Sequence, residues 1–486
     1  MKLFLKLRVS FKTIFIMNKQ LILFLIVTLF YTGCSQKETV DTKIIIAGKV
    51  ENTTRESIEV YLEEEVGSSE FEEDGTFYLS FDAEEEGLYF IRAGVGDFSL
   101  FLTPGDSVFV TADGQEFKNS IQVSGNRVAE SNYLHQKDLF LYEELGDMFE
   151  LFSLPSEQYL DKRSGFFIRQ KERFNQYQAE HKLHPVFIKE EEAYLEFEPF
   201  LYDSQYPHYQ AYINEINLED VDFPVEKTKA AFDAIDLGRS DFLVSRTYRS
   251  IVDRRVHEHA MELVKRDSTL WHEKSGMEQA VFMAADELLH NKAVKDYFMY
   301  NFIKSNMGAL GPVYVEDAYE KFLAENNSPK LVTKLEKAKA KWEPIMPGKE
   351  IPDFKFIDVA GDSVKLSDLR GKLVYIDIWA TWCGPCIAEH PHWDELRADY
   401  KDKDVAFLSL SIDDTKEPWE KMVKSKNMGG YQWFAEKAWK SEITRLFLVN
   451  SIPRFLLLDK DGKIINPSAE RPSGGIREHL DKYLES

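Results

Sequence analysis

The sequence predicts a multidomain chain with an all-β, sandwich-like N-terminal domain, an α-helical middle domain and a C-terminal α/β domain. Three observations carry this. Short apolar runs separated by turn residues fill 43–125. Apolar residues recur at three- and four-residue steps through 126–345. Strand-like and helix-like segments alternate over 346–486. A length of 486 residues is too great for one compact domain. Hydrophobic residues make up 44% and aromatics 13%, enough for folded cores rather than a disordered chain. The formal net charge of −23 argues against a nucleic-acid partner, whose phosphates are met by a basic face.

The N-terminus reads as a targeting segment. From Met17 it runs MNKQLILFLIVTLFYTGCSQKE, with Lys19 ahead of an apolar run from Leu21 to Tyr31 and small residues Thr32 and Gly33 before Cys34. That is a secretory signal pattern, and the run is too short to span a bilayer. "YTGC" resembles a bacterial lipobox, with Tyr31 where Leu is usual. The expectation is a lipoprotein-type signal peptide over 1–33, lipidation of Cys34, attachment to a lipid membrane and a polar tether over 34–42. Met17 is an alternative start to Met1. An ordinary cleaved signal is the competing reading, but it would leave an exported, unpaired thiol open to oxidation.

Over 43–125 the runs IIIAGKV, SIEVYL, GTFYLSF, GLYFIRA, FSLFL, DSVFVTA and SIQVSG are separated by turn signals such as Asp74-Gly75 and TPGD. Phe77, Leu79 and Phe81 alternate with polar or outward positions, as in a half-buried strand. Nothing here has catalytic spacing, and the segment reads as a binding or packing domain.

The helical signal over 126–345 includes Phe242, Val244, Tyr248, Ile251 and Val252, and the long run GMEQAVFMAADELLHNKAVKDYFMYNFI. Prolines 185, 199, 207, 224, 312 and 329 punctuate it. Ser328-Pro329 suits an N-cap followed by Pro in the first turn of a charged helix, and MPGK at 346–349 reads as a domain boundary. His257 and His259 stand two apart, so on a helix they diverge by about 200° and cannot chelate one metal. The surrounding DRRVHEH reads as a solvated face.

The last region holds six of the eight tryptophans. Strands are predicted at DFKFIDV, KLVYIDIWA, VAFLSLSI, RFLLLD and KII, with helices from about Pro385, about Glu417 and near Gly475. This alternation indicates an α/β layer fold.

Two of the three cysteines, Cys383 and Cys386, stand in ATWCGPCIAEHP. A helix starting at Cys383 places that thiol at its N-terminus, where free N–H groups and the helix dipole favour a thiolate. Cys386 lies one turn on along the same face and is expected to be the more buried. Gly384-Pro385 suits the first turn. The chemistry implied is attack by the Cys383 thiolate on a substrate disulfide and resolution of the mixed disulfide by Cys386. A zinc site is the rival reading, but no second C-x-x-C or nearby H-x-x-H supplies further ligands. A structural disulfide is the third. Asp377, a lone carboxylate in a buried strand, is costly unless used. It is expected to have a raised pKa and to take the Cys386 proton through water; the plain alternative is an acid at a partly wet strand edge.

"DIWATWCGPC" resembles a thioredoxin active site, and with Pro391 and the "SIPRFLLLD" segment the resemblance extends over 346–486. Asp377 falls where thioredoxins carry a buried acid, and Pro391 where they have a helix-kinking proline. Ile452-Pro453 matches the family's cis-proline pair, so the resemblance implies a cis bond there. The lysine that partners the acid in many thioredoxins is absent, with Ser409 at about that place. CIAEHP, with Glu389 as a supporting acid, and the opening IPDFKFIDVAGDSVKLSDLRGK are similar to the TlpA/ResA-type branch of exported, membrane-attached thiol-disulfide oxidoreductases. The resemblance implies a thioredoxin-like fold and no cofactor beyond the dithiol. It implies a substrate groove formed by Trp382, Gly384, Pro385, Ile452 and Pro453. Protein disulfides are the implied substrates, with apocytochrome c one candidate, and a membrane thiol-reducing protein the electron donor. The setting would be a bacterial cell envelope, facing the periplasm.

The Gly-Pro dipeptide between the cysteines lacks a His to stabilise the thiolate. Thioredoxin-like pairs poise near about −270 mV and strong oxidants near about −120 mV, so a reductase is favoured. Two other functions compete. A thiol peroxidase usually has Thr three before its reactive Cys, where Ala380 stands here. A binding lipoprotein would use the β and helical regions for a ligand and the redox domain as an auxiliary.

Overall fold

The computed structural model describes residues 42–53, 57–93, 96–267, 276–325 and 328–484. The expected signal segment, the lipidation site Cys34 and the tether up to residue 41 lie outside the described residues. Among the described residues no helix is long and apolar enough to cross a membrane. Two compact units result. One holds the described residues up to Asp147 together with Ile168–Phe187; the other holds Met148–Phe167 and the described residues from Ile188 onward.

The first unit is built on two four-stranded sheets. One has the order β4-β1-β7-β8, from β1 (Lys43–Glu51), β4 (Thr76–Asp82), β7 (Ser107–Asp113) and β8 (Gln122–Gly125). The other has the order β3-β2-β5-β6, from β2 (Ser57–Tyr61), β3 (Glu65–Glu70), β5 (Gly87–Arg92) and β6 (Asp97–Leu102). Alternation decides what is buried: Ile44, Ile46 and Val50 of β1 face Val60, Ile91 and Leu100 of the second sheet within one apolar cluster. At Gly48 a Cβ would stand 2.0 Å from the Val110 carbonyl oxygen, so β1 and β7 meet there only because the side chain is missing. β3 was not anticipated, since EVGSSE has no apolar alternation. The expected boundary at 125 also moves. Phe101 lies on the opposite face of β6 from Leu100 and Leu102, and it is fully buried by Phe187, with ring centroids 5.3 Å apart. Helical residues therefore cover the outer face of this sheet and belong to the same unit.

The helix Pro185–Asn214 runs through Pro199 and Pro207, so these prolines do not punctuate the region as expected. Each interior proline forfeits a backbone hydrogen bond. Burial of Phe197, Tyr202 and Tyr206 on the same helix holds it together. Ser328 is the N-cap of helix Pro329–Ala340, though its side chain makes no capping bond. His257 and His259 do diverge: the first packs near Phe298, and the second bonds Glu287 at 2.7 Å.

The α/β region is a seven-stranded mixed sheet of order β10-β9-β13-β12-β11-β14-β15. Its strands are β9 (Lys355–Asp358), β10 (Ser363–Lys365), β11 (Leu373–Trp379), β12 (Val405–Ser411), β13 (Tyr431–Phe434), β14 (Arg454–Leu458) and β15 (Ile464–Ala469). β11 is parallel to β12 and antiparallel to β14. All seven residues of β11 are buried, as its near-continuous hydrophobicity predicts. β10 and β13 went unread. The helices are Gly384–Asp399, Lys416–Lys426 and Ile476–Leu484, with a short Glu442–Leu446. Phe298, Trp342 and Ile345 of the helical region join Val374, Trp379 and Ile464 of this sheet in one apolar cluster. The MPGK segment is pinned to the sheet as well, with Gly348 N–H donating to the Ile464 carbonyl at 2.7 Å.

Candidate active site

The site begins where β11 runs out. Ala380 and Thr381 follow Trp379, and Cys383 is the N-cap of helix Gly384–Asp399. Cys383 and Cys386 are joined in a disulfide. The Cys383 sulfur accepts the Cys386 N–H at 3.2 Å, so one of the helix's otherwise unpaired first-turn donors already points at it. Negative charge on a reduced Cys383 would be favoured by the same donor and by the helix dipole. Cys386 is 1% exposed against 5% for Cys383. Both residues are buried in the disulfide state, Cys383 slightly the less so. Pro391 lies inside this helix, eight residues after Cys383.

The turn into the helix is held by a residue the sequence reading did not single out. Asp413 is 2% exposed. It accepts the Thr381 N–H at 3.1 and 3.2 Å, the Thr381 hydroxyl at 2.6 Å and the Ser411 hydroxyl at 2.7 Å. A carboxylate just past the end of β12 thereby fixes the residue two before Cys383. The available signal was Asp413-Asp414 at the C-terminal end of a parallel strand, where α/β sheets place their sites.

Asp377 is on β11 at the centre of the sheet, in register with Ser409 on one side and Phe455 on the other. It is 2% exposed, and its Oδ1 has no hydrogen-bond partner. This overturns the wet-edge alternative. Desolvation, and secondarily the negative charge of Glu389, push its pKa well above the ordinary carboxylate range. Glu389 is itself buried on the Cys383 helix. It accepts the Ser473 N–H at 3.1 Å and its hydroxyl at 2.9 Å, with the Arg471 guanidinium 3.7 Å away.

The expected groove residues surround the disulfide. The Ile452–Pro453 bond is cis, and the Ile452 carbonyl oxygen lies 3.8 Å from the Cys383 sulfur. A reduced thiol could donate to it. Gly384 and Pro385 are exposed in the helix's first turn. Trp382 is 56% exposed, and its ring centroid stands 6.2 Å from that of Trp439, a second exposed tryptophan the sequence reading passed over.

Comparison with known proteins matches the same region. A family model described as Redoxin matches residues 346–481. The thiol-disulfide oxidoreductase ResA of Bacillus thuringiensis is 35% identical over 138 residues, covering 28% of this chain and 76% of the relative. ResA of Geobacillus kaustophilus is 29% identical over 140 residues, covering 29% of this chain and 76% of the relative. A crystal structure of the thioredoxin domain of a thiol-disulfide oxidoreductase from Bacteroides vulgatus is 26% identical, covers 28% of this chain and 97% of that one, and has a TM-score of 0.26. The C-terminal region has a thioredoxin-like fold, and the protein is an oxidoreductase. With WCGPC at a helix start and ResA proteins matched over three-quarters of their length, the chain belongs to the thioredoxin superfamily, in its TlpA/ResA-like branch.

Proposed function

We propose that this protein is a membrane-anchored reductase of protein disulfides in the bacterial cell envelope, facing the periplasm and tethered through a lipidated Cys34. One observation carries the reading: a Cys383–Cys386 pair at a helix N-terminus, at the end of the strand that carries a buried acid lacking a full set of partners. In the reducing cycle the Cys383 thiolate attacks one sulfur of a substrate disulfide. That S–S bond breaks, the departing thiolate takes a proton, and Cys383 is left in a mixed disulfide. Asp377, in its ionised form, accepts the Cys386 proton through water. The Cys386 thiolate then attacks the Cys383 sulfur and releases the second substrate thiol. Two electrons have passed to the substrate, and the Cys383–Cys386 disulfide is the state this structure describes. A donor dithiol, by the same exchange run in reverse, restores the pair. No cofactor beyond the cysteines takes part. The Gly-Pro dipeptide supports the reducing direction, and apocytochrome c thiols are one candidate substrate. Reduction of insulin by the reduced protein tests this; a chain with both cysteines intact that leaves insulin oxidised would contradict it.

One observation favours the second reading, a ligand-binding lipoprotein with an auxiliary redox domain. A cavity of about 1220 Å³ opens in the helical region among Phe200, Phe223, Phe232 and Met261, rimmed by Lys229 and Arg254. Two of its rim cations are already paired, Lys229 with Asp233 and Arg254 with Glu258 at 2.8 Å each, and the dithiol is the better-supported centre.

A further inference from the structure

The helical region meets the α/β sheet at a place that bears on the chemistry. Residues 450–453 form the loop whose Ile452 carbonyl faces the Cys383 sulfur. Arg454, the first residue of β14 directly after that loop, is 4% exposed. Its Nη2 donates to the Ala309 carbonyl at 2.6 Å, its Nη1 reaches the Pro467 carbonyl at 3.5 Å, and its guanidinium lies 5.9 Å from the Trp342 ring centroid. Among the described residues no carboxylate pairs with it, and burial lowers its pKa to about 10. Burying a guanidinium on carbonyls alone is costly, and here it makes a junction between the helical segment, β14 and β15. One further hydrogen bond follows the same seam, the Tyr314 hydroxyl donating to the Ser468 carbonyl at 2.8 Å, and Gly308 runs near Asn450, whose side-chain nitrogen would lie 3.8 Å from a Cβ added there. The segment so fastened leaves two apolar side chains in solvent, Leu310 at 42% and Val313 at 57% exposure.

We infer that residues 308–314 form a second wall of the substrate groove beside Cys383, one that takes an extended apolar stretch of a disulfide-bearing polypeptide, and that Arg454 is the positioning residue that ties this wall to the start of β14, directly after the 450–453 loop. The inference rests on the reading of the chain as a protein-disulfide reductase. The occupant follows from continuity: the wall is bonded to Arg454, the strand residue directly after the loop that faces the reactive sulfur, and exposed aliphatic side chains on a separate element suit a polypeptide that extends beyond its cysteine. Such a segment would lie along the loop as an added strand, with side-chain pockets setting preference. The wall lies outside residues 346–481, so the Redoxin match does not include it.

The test compares two substrates on the full chain: a peptide whose disulfide is flanked by Leu and Val, and a small aromatic disulfide. In the double variant Leu310→Ser, Val313→Ser, the ratio of peptide to small-disulfide kcat/KM is expected to fall about tenfold, through KM for the peptide. Arg454→Ala is expected to lower the same ratio, and Arg454→Lys to restore part of it. Arg454→Ala could also lower stability, but the double variant alters only exposed side chains, so it decides the matter with melting temperature as a control. An unchanged ratio in the double variant overturns the wall while leaving the reductase reading standing. A wild-type chain that reduces neither substrate overturns the reductase reading and the wall with it.

Discussion

Asp377→Asn tests the buried acid through stability as well as rate. In the folded chain its carboxyl pKa lies above the unfolded value of about 3.9. The folded state therefore holds this proton to higher pH than the unfolded state does. The contribution to stability is fully present below the unfolded pKa and is lost as pH rises towards the folded pKa. Across that window wild-type stability falls by about 1.4 kcal/mol per pH unit from this one group. At about 2–4 °C per kcal/mol, the figure for domains of about 150–250 residues, that is at most roughly 3–6 °C per pH unit in this larger unit. The asparagine keeps the shape and cannot ionise, so the variant lacks the slope. Melting curves of both oxidised proteins from pH 4 to pH 8 should show the variant gaining on wild type as pH rises towards the folded-state pKa. A difference that stays flat over that range would refute the claim that Asp377 ionises at a dehydrated site. In parallel, mixed-disulfide resolution should slow by about 10²-fold or more in the variant if Asp377 is the proton acceptor; unchanged reduction kinetics would remove it from that role.

Glu389→Gln removes the charge that helps raise the Asp377 pKa, so the pH–rate profile for resolution should move to lower pH, as stopped-flow measurements would show. Asp413→Ala strips the acceptors from Thr381 and Ser411 and should cost about 2–4 kcal/mol of stability by denaturant titration, since buried donors are left unpaired. Gly48→Ala drives a Cβ to 2.0 Å from the Val110 carbonyl; it should lower the stability of the β-sheet unit by about 1–3 kcal/mol, read by thermal melting, with insulin reduction retained.

The parts of the fold legible in the sequence are those where one local signal decides the outcome. β11 reads as a buried strand because LVYIDIW is apolar at all positions but Asp377, and the helix start at Cys383-Gly384-Pro385 follows from Pro in the first turn. β3 was hidden because EVGSSE pairs through its backbone at an edge and buries little. Pro199 and Pro207 misled because tertiary burial of the aromatics around them outweighs the local penalty. At the site, the cysteines and Asp377 stood out by type and position. Asp413, Trp439 and Arg454 did not, because each acts on a residue distant in sequence: Thr381, Trp382 and Ala309. Such pairings are set by sheet register and packing, which a single sequence does not display. The grouping of the helical region with the α/β sheet was hidden for the same reason, since their common core joins residues from Ala193 to Ile464.

The central claim is the division of labour between the two thiols. It is tested most directly by mass spectrometry of disulfide-linked complexes formed with a protein disulfide by Cys386→Ala and by Cys383→Ala. Cys386→Ala should accumulate a mixed disulfide through Cys383, and Cys383→Ala should form none. Equal trapping by both variants, or trapping through Cys386 alone, would contradict the account.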